Sequence, residues 1–154
     1  MRRVLGFLPL LMILPVGVQA QTPEMEKIQF YVGEWNYEHS SGHGTMVFER
    51  FGDDLIYAKE EYTTNAGSLI RMFHVMGYDS DEGVYWWRRF TRSSGGSFFK
   101  GGLEGNTWTF TAEGGQLRMV QVMESDGVVN FRWESLAEDG SWEAGIQGTI
   151  RKVR

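Results

Sequence analysis

Length, charge and cysteine content already exclude several classes of protein. The chain has 154 residues, a net charge of −5 and no cysteine, so neither a disulfide framework nor a cysteine nucleophile is available. An acidic chain without a basic block is a poor candidate for binding nucleic acid or an anionic membrane surface.

The amino terminus is organised like a secretory signal. Arg2 and Arg3 precede an uncharged, largely apolar stretch over residues 4–18, and residues 18–20 (VQA) place small side chains where a signal peptidase cleaves. A membrane-spanning helix needs about 20 apolar residues. The stretch therefore predicts a cleavable signal peptide over residues 1–20 rather than a membrane span.

Export implies a periplasmic or secreted location for the rest of the chain. We expect cleavage after Ala20 and no stable membrane anchor, since no cysteine at the cleavage site could carry a lipid. Residues 21–154 hold 20 acidic and 13 basic residues, a net charge of −7. This length predicts a single domain with one hydrophobic core.

A short helix is the first predicted element. Residues 24–32 (EMEKIQFYV) place Met25, Ile28 and Val32 three and four positions apart, which is the spacing of one apolar helical face. We expect this helix to close one end of a β-barrel.

Ten strands are predicted after the helix. Glycine and acidic turn residues separate short runs rich in aromatic and β-branched side chains, a pattern typical of an all-β meander. Alternation with period two, as in TWTFTA, predicts one buried and one wet face. The predicted strands are 34–40, 44–51, 55–63, 68–78, 84–91, 97–102, 107–112, 116–124, 128–136 and 142–152. Closure removes unpaired edges, so the predicted fold is a single antiparallel up-and-down β-barrel.

Residues 33–35 (GEW), at the start of the first strand, resemble the calycin superfamily of lipocalins, fatty-acid-binding proteins and nitrobindin-like barrels. The resemblance implies structural roles for Gly33 and Trp35, with the tryptophan packed at the closed end of the barrel. It also implies that an arginine late in the last strand, Arg151 or Arg154, lies over that ring.

Two further motifs resemble a narrower group. Residues 77–79 (GYD) and 101–106 (GGLEGN) are similar to uncharacterised exported bacterial proteins, classed as a domain of unknown function, with a lipocalin-like barrel. This resemblance extends over nearly all of residues 24–153 and implies a fold rather than an activity. Nitrobindin-like barrels hold haem through a histidine late in the chain, and no histidine follows His74 here.

The six tryptophans indicate either a packed core or an aromatic-lined pocket. A barrel of about eight strands can be filled by its side chains or can hold one small ligand. The pocket interpretation predicts that a small hydrophobic or amphipathic molecule binds inside, without a cofactor. Its predicted lining is Tyr37, Phe48, Trp86, Trp108, Phe131 and Trp133, with His74 and Arg88 as polar anchors.

The adjacent Arg88 and Arg89 point to opposite faces of their strand because of the alternation. An inward arginine beside tryptophan could bind a carboxylate. Otherwise, one arginine lies along the outer surface and the other forms a structural ion pair inside.

A second interpretation is copper or haem handling. Met72, His74 and Met76 share one face of a strand, and thioether and imidazole groups suit Cu(I). Methionine also fills irregular cores, and the opposite face is equally apolar, so the inward face stays open. A packed barrel that acts through its exterior is the third interpretation.

Other constellations carry less information. His39 and His43 flank a Gly/Ser turn, where two ligands without a third favour a solvated loop over a metal site. No nucleophile elbow, phosphate loop or dinucleotide motif is present in the sequence. Nothing in these patterns therefore indicates an enzyme, although a barrel scaffold can carry one.

Overall fold

The computed structural model describes residues 22–92, 94–125 and 127–153. The predicted signal peptide and Arg154 lie outside these ranges. Helix α1 (Pro23–Ile28) begins with proline, whose missing N–H is not needed in a first turn. Thr22 caps the helix by accepting a hydrogen bond from the Met25 backbone N–H at 3.3 Å.

A single 3-10 turn (Gln29–Tyr31) continues from the helix towards the barrel. Met25 and Ile28 of the predicted apolar face are buried, and Val32 is partly buried against the core, so this face packs onto the barrel. Within the described ranges, no helix is long and apolar enough to cross a membrane.

Ten antiparallel strands follow, each paired with the next, and the last pairs with the first to close the barrel. This is the predicted fold class. The strands are β1 (Gly33–His39), β2 (Gly42–Phe51), β3 (Leu55–Thr64), β4 (Leu69–Asp79), β5 (Val84–Thr91), β6 (Ser94–Glu104), β7 (Thr107–Ala112), β8 (Leu117–Ser125), β9 (Val128–Leu136) and β10 (Trp142–Lys152).

Strand β6 departs most from its predicted bounds, because glycines at both ends favour turns in the sequence. Arg89 pairs with Ser97 and Thr91 pairs with Ser94, with a register shift between them. Gly95 and Gly96 thus oppose a single residue of β5, the arrangement of a β-bulge. Gly96 has a φ of 107°, which favours glycine at this position.

Aromatic side chains fill the end of the barrel that α1 covers. Trp35 donates its indole N–H to the Tyr31 carbonyl at 2.5 Å, and the Tyr31 hydroxyl donates to Gln121. Trp108 is fully buried and stacks on Phe110 with ring centroids 5.8 Å apart. We call this aromatic layer the closed end.

Lys152, rather than Arg151, lies over Trp35. Lys152 is the direct partner of Trp35 in the β1–β10 register, and directly opposed residues share a face. Its Nζ lies 5.3 Å from the indole centroid and donates to the Phe30 carbonyl at 3.0 Å. Arg151 is exposed on the other face and does not contact this ring. Arg154, the other arginine that the resemblance implies, lies outside the described residues.

Gly33 leaves room for this lysine. A Cβ at Gly33 would lie 3.0 Å from Lys152 Cε, and Gly33 has a φ of +127°. A larger residue would be strained in that backbone conformation and would crowd the lysine.

Candidate ligand-binding site in the barrel interior

A cavity of about 190 Å³ lies inside the barrel. Side chains from β1–β5 and β8–β10 surround it, together with Tyr31 and Ser41. Most of them are aromatic or aliphatic, and four are methionines: Met46, Met72, Met76 and Met119. Polar groups are concentrated on the wall formed by β1, β3, β4 and β5.

A row of hydrogen bonds crosses that wall. The Tyr37 hydroxyl donates to Glu60 Oε1, and Glu60 Oε2 lies 2.6 Å from His74 Nε2. The Trp87 indole N–H donates to His74 Nδ1 at 3.0 Å. We call these four residues the polar row, and all of them are buried.

The partners of His74 determine where its proton resides. An indole N–H can only donate, so Nδ1 of His74 must accept. The proton is therefore on Nε2, from which it is donated to the Glu60 carboxylate.

Glu60 stays ionised despite its burial. Burial by itself raises the pKa of this carboxyl, but hydrogen bonds from His74 and Tyr37 and the charge of Arg89 outweigh it, and the pKa is lowered. Burial and the adjacent Glu60 charge raise the pKa of the Tyr37 hydroxyl. Tyr37 thus remains a neutral donor to the carboxylate.

Arg89 brings a positive charge to the cavity wall. Its Cζ lies 5.1 Å from the Trp133 ring centroid, and its buried Nε has no hydrogen-bond partner among the residues that the structure describes. Burial lowers the pKa of Arg89, whereas the charge of Glu60 opposes that shift. An arginine remains protonated in proteins even so.

His39 lies among aromatic rings at the end of the cavity away from α1. It stacks on Tyr62 and Tyr37 at centroid distances of 4.9 and 5.6 Å and meets the edge of Phe131 at 6.0 Å. Its Nδ1 lies 3.2 Å from the Ser41 backbone nitrogen, which donates to it. Burial lowers the pKa of His39.

The expected solvated loop at His39 and His43 is therefore wrong for His39, which lines the cavity. The two-residue turn between β1 and β2 leaves His39 within a strand, facing inward. His43 is exposed, so the two imidazoles do not converge on a metal.

Five of the eight residues predicted to line a pocket do line the cavity: Tyr37, Phe48, His74, Phe131 and Trp133. Trp108 points inward but belongs to the closed end. Whether any of them binds a ligand stays a prediction.

The placement of Trp86 and Arg88 is corrected by the structure. Neither lines the cavity; instead, Trp87 and Arg89 line it. Trp86 packs against Phe98 on the outside, with ring centroids 6.4 Å apart, and Arg88 is exposed with its Cζ 5.3 Å from the Phe98 ring. Residues 86–87 are two tryptophans and residues 88–89 are two arginines. Because each pair repeats one residue type, the sequence does not show which member of the pair faces inward.

Met72, His74 and Met76 do face inward, since all three line the cavity. Both ring nitrogens of His74 are nevertheless engaged, one with Glu60 and the other with Trp87. No group of three His, Cys, Asp or Glu side chains within the described ranges could hold a metal ion. The copper and haem interpretation has no support in this geometry.

Comparisons with solved structures support the fold. The chain is similar to Rv2717c from M. tuberculosis, with a TM-score of 0.66, 9% identity, and coverage of 88% of this chain and 100% of that one. It is also similar to a structure described as EF1p2_mFAP2b bound to DFHBI, with a TM-score of 0.51, 12% identity, and coverage of 84% of this chain and 99% of that one. No family model matches the sequence, and no curated protein is significantly similar to it.

Proposed function

We propose that this protein is an exported binding protein that holds a small amphipathic molecule inside its barrel. The observation that carries the proposal is the cavity of about 190 Å³, with apolar side chains on most of its walls and the polar row on one of them. Ligand sites combine these features, since apolar contacts give affinity and a few placed polar groups give orientation.

The size of the void separates this proposal from a packed interaction module. Natural interiors are close-packed, and voids larger than a water molecule are few in a domain. A cavity of about 150 Å³ holds benzene in an engineered protein, so the space here suits one small ring system. The similar structure of EF1p2_mFAP2b is described as bound to DFHBI, which supports the view that this architecture can hold a small molecule.

The proposal also includes export from the cytoplasm and a relationship to the uncharacterised group of exported barrels. Residues 1–20 carry the pattern of a signal peptide, which supports a periplasmic or secreted protein. The GEW, GYD and GGLEGN motifs support a calycin-type protein of the uncharacterised exported group described above.

Native mass spectrometry of protein purified from periplasm, followed by denaturing extraction, tests the binding function. We expect a small molecule to accompany the wild-type protein. Met72→Trp should abolish it by filling the cavity, whereas Val75→Trp, on the outer face of the same strand, should retain it. Bare protein, both as purified and after exposure to a small-molecule extract of the same cells, would overturn the proposal.

A further inference from the structure

We infer that the ligand is a compact carboxylate whose charged group pairs with Arg89, an inference that rests on the proposed binding function. Among the fully buried polar side-chain atoms of the cavity wall, Arg89 Nε is set apart because it has no hydrogen-bond acceptor in the described part of the chain.

Apart from Arg89 Nε, the fully buried polar side-chain atoms of the cavity wall have hydrogen-bond partners within the residues that the structure describes. Both Glu60 oxygens accept hydrogen bonds from Tyr37 and His74. The Tyr31 hydroxyl donates a hydrogen bond to the side-chain oxygen of Gln121. The Tyr62 hydroxyl donates to the Ser41 carbonyl at 2.6 Å. The polar row therefore has no unpaired N–H or O–H to offer a ligand.

Arg89 is the exception. It lines the cavity, its Nε is buried without a partner in the described part of the chain, and Glu60 acts on it through charge rather than a hydrogen bond. A buried donor without an acceptor is costly. A guanidinium presents its donors in a planar fork that matches the two oxygens of a carboxylate.

The charge of Glu60 does not prevent a second carboxylate from binding at Arg89. Its two oxygens are held by Tyr37 and His74, and these hydrogen bonds already stabilise its negative charge. A ligand carboxylate would contact the guanidinium directly, and attraction at contact exceeds repulsion across a longer separation because Coulomb energy falls with distance.

The cavity walls and volume define the rest of the ligand. Trp133 stacks against the Arg89 guanidinium, and Trp87 and Phe131 add further aromatic surface. About 190 Å³ accommodates one ring with a short substituent. A long acyl chain is too large, so the chemistry indicated is a small aromatic or branched monocarboxylate.

Isothermal titration with 4-methylbenzoate and its neutral isostere 4-methylbenzamide tests the inference at pH 7. Wild-type protein should bind the acid at least tenfold more tightly than the amide. Arg89→Gln should lose at least tenfold in affinity for the acid and change less than twofold for the amide. Arg88→Gln, which alters the exposed neighbour, should change neither by more than twofold.

Circular dichroism checks that each variant is folded, and Arg89→Lys, which keeps the charge without the planar fork, replaces Arg89→Gln if the latter does not fold. The lysine variant should bind the acid more weakly than wild type. Equal wild-type affinity for acid and amide would overturn the ligand class and leave the binding function standing. Absence of binding for the acid, the amide and toluene would overturn both.

Discussion

The Trp87 indole N–H donates to Nδ1 of His74 at 3.0 Å, and this bond sets the proton of the imidazole on the opposite nitrogen. His74 Nε2–H in turn donates a hydrogen bond to the Glu60 carboxylate. A tryptophan on β5 thus stabilises a buried carboxylate on β3 through a histidine on the strand between them. The polar row therefore joins three neighbouring strands to Tyr37 on β1 across the barrel interior.

Without the indole donor, His74 should no longer be restricted to the tautomer that carries its proton on Nε2. We expect Trp87→Phe to lower the free energy of unfolding by about 1–3 kcal/mol, since His74 Nδ1 loses its partner while buried. Nitrogen-15 NMR of the imidazole should show the Nε2–H form in the wild type and a mixture in the variant. Trp86→Phe, the same change on the outer face, should leave the tautomer unaltered, and an equal change in both variants would contradict the assignment.

Glu60→Gln should destabilise the barrel although it is nearly isosteric. An amide can accept from Tyr37, but its NH₂ group then faces the Nε2–H of His74, and two donors cannot bond to one another. We expect a loss of about 1–3 kcal/mol in chemical denaturation. Glu61→Gln, at the exposed neighbouring position, should stay within about 0.5 kcal/mol of wild type. Similar losses at both positions would argue against a buried, ionised Glu60.

The lowered pKa of Glu60 predicts an acid-sensitive contribution to stability. The folded-state pKa lies below the ordinary value of 4.5, so the unfolded chain binds this proton first as pH falls. The contribution is present above about pH 4.5 and disappears as pH drops through the folded value. Urea midpoints from pH 7 to pH 3 should fall less steeply in Glu60→Gln than in wild type. Parallel curves would contradict the pKa shift.

Gly101 should be intolerant of any side chain. A Cβ there would lie 1.9 Å from the Thr109 carbonyl oxygen, whereas a Cβ on the adjacent Gly102 would meet nothing within 4 Å. Because the obstacle is backbone of the paired strand β7, Gly101→Ala must shift the strands apart. We expect a loss of more than about 2 kcal/mol for Gly101→Ala and less than about 0.5 kcal/mol for Gly102→Ala in thermal or urea unfolding. Equal stability of the two variants would show that the strands separate more easily than the register suggests.

Lys152 should contribute to the attachment of the amino-terminal segment. Lys152→Ala removes the contact with the Trp35 ring and the hydrogen bond to the Phe30 carbonyl, which together contribute about 1–2 kcal/mol. Hydrogen exchange of α1 should be faster in this variant. Arg151→Ala, one residue earlier on the exposed face, should leave exchange unchanged. Faster exchange in Arg151→Ala alone would contradict this role of Lys152 and would assign the contact to Arg151, as the resemblance implies.

Most of the fold could be predicted from alternation and turn residues. The stretch TWTFTA alternates in the sequence, and in β7 the side chains of Trp108 and Phe110 are the buried ones. The start of strand β6 is harder to predict. Gly95 and Gly96 favour a turn in the sequence, whereas in the structure they form a β-bulge opposite β5. A bulge depends on the partner strand, so single-strand patterns do not contain it.

The candidate site was less accessible from the sequence. Trp86-Trp87 and Arg88-Arg89 are doublets, so a phase error of one residue exchanges the inner and outer members without any change in composition. Glu60 had a usable signal, because it interrupts the buried positions Ile56, Ala58 and Tyr62 of β3. A lone inward carboxylate implies partners on other strands, and those follow only from the closed topology.

Methyl NMR of methionine-labelled protein tests most directly whether a small molecule enters the barrel. Met46, Met72, Met76 and Met119 line the cavity, whereas Met25, which lies on α1, is buried and does not line it. Titration with 4-methylbenzoate should shift the methyl signals of the four lining methionines saturably and leave Met25 unchanged. Unchanged signals from all four at saturating concentrations, or shifts of Met25 as large as theirs, would contradict a binding site in the barrel interior.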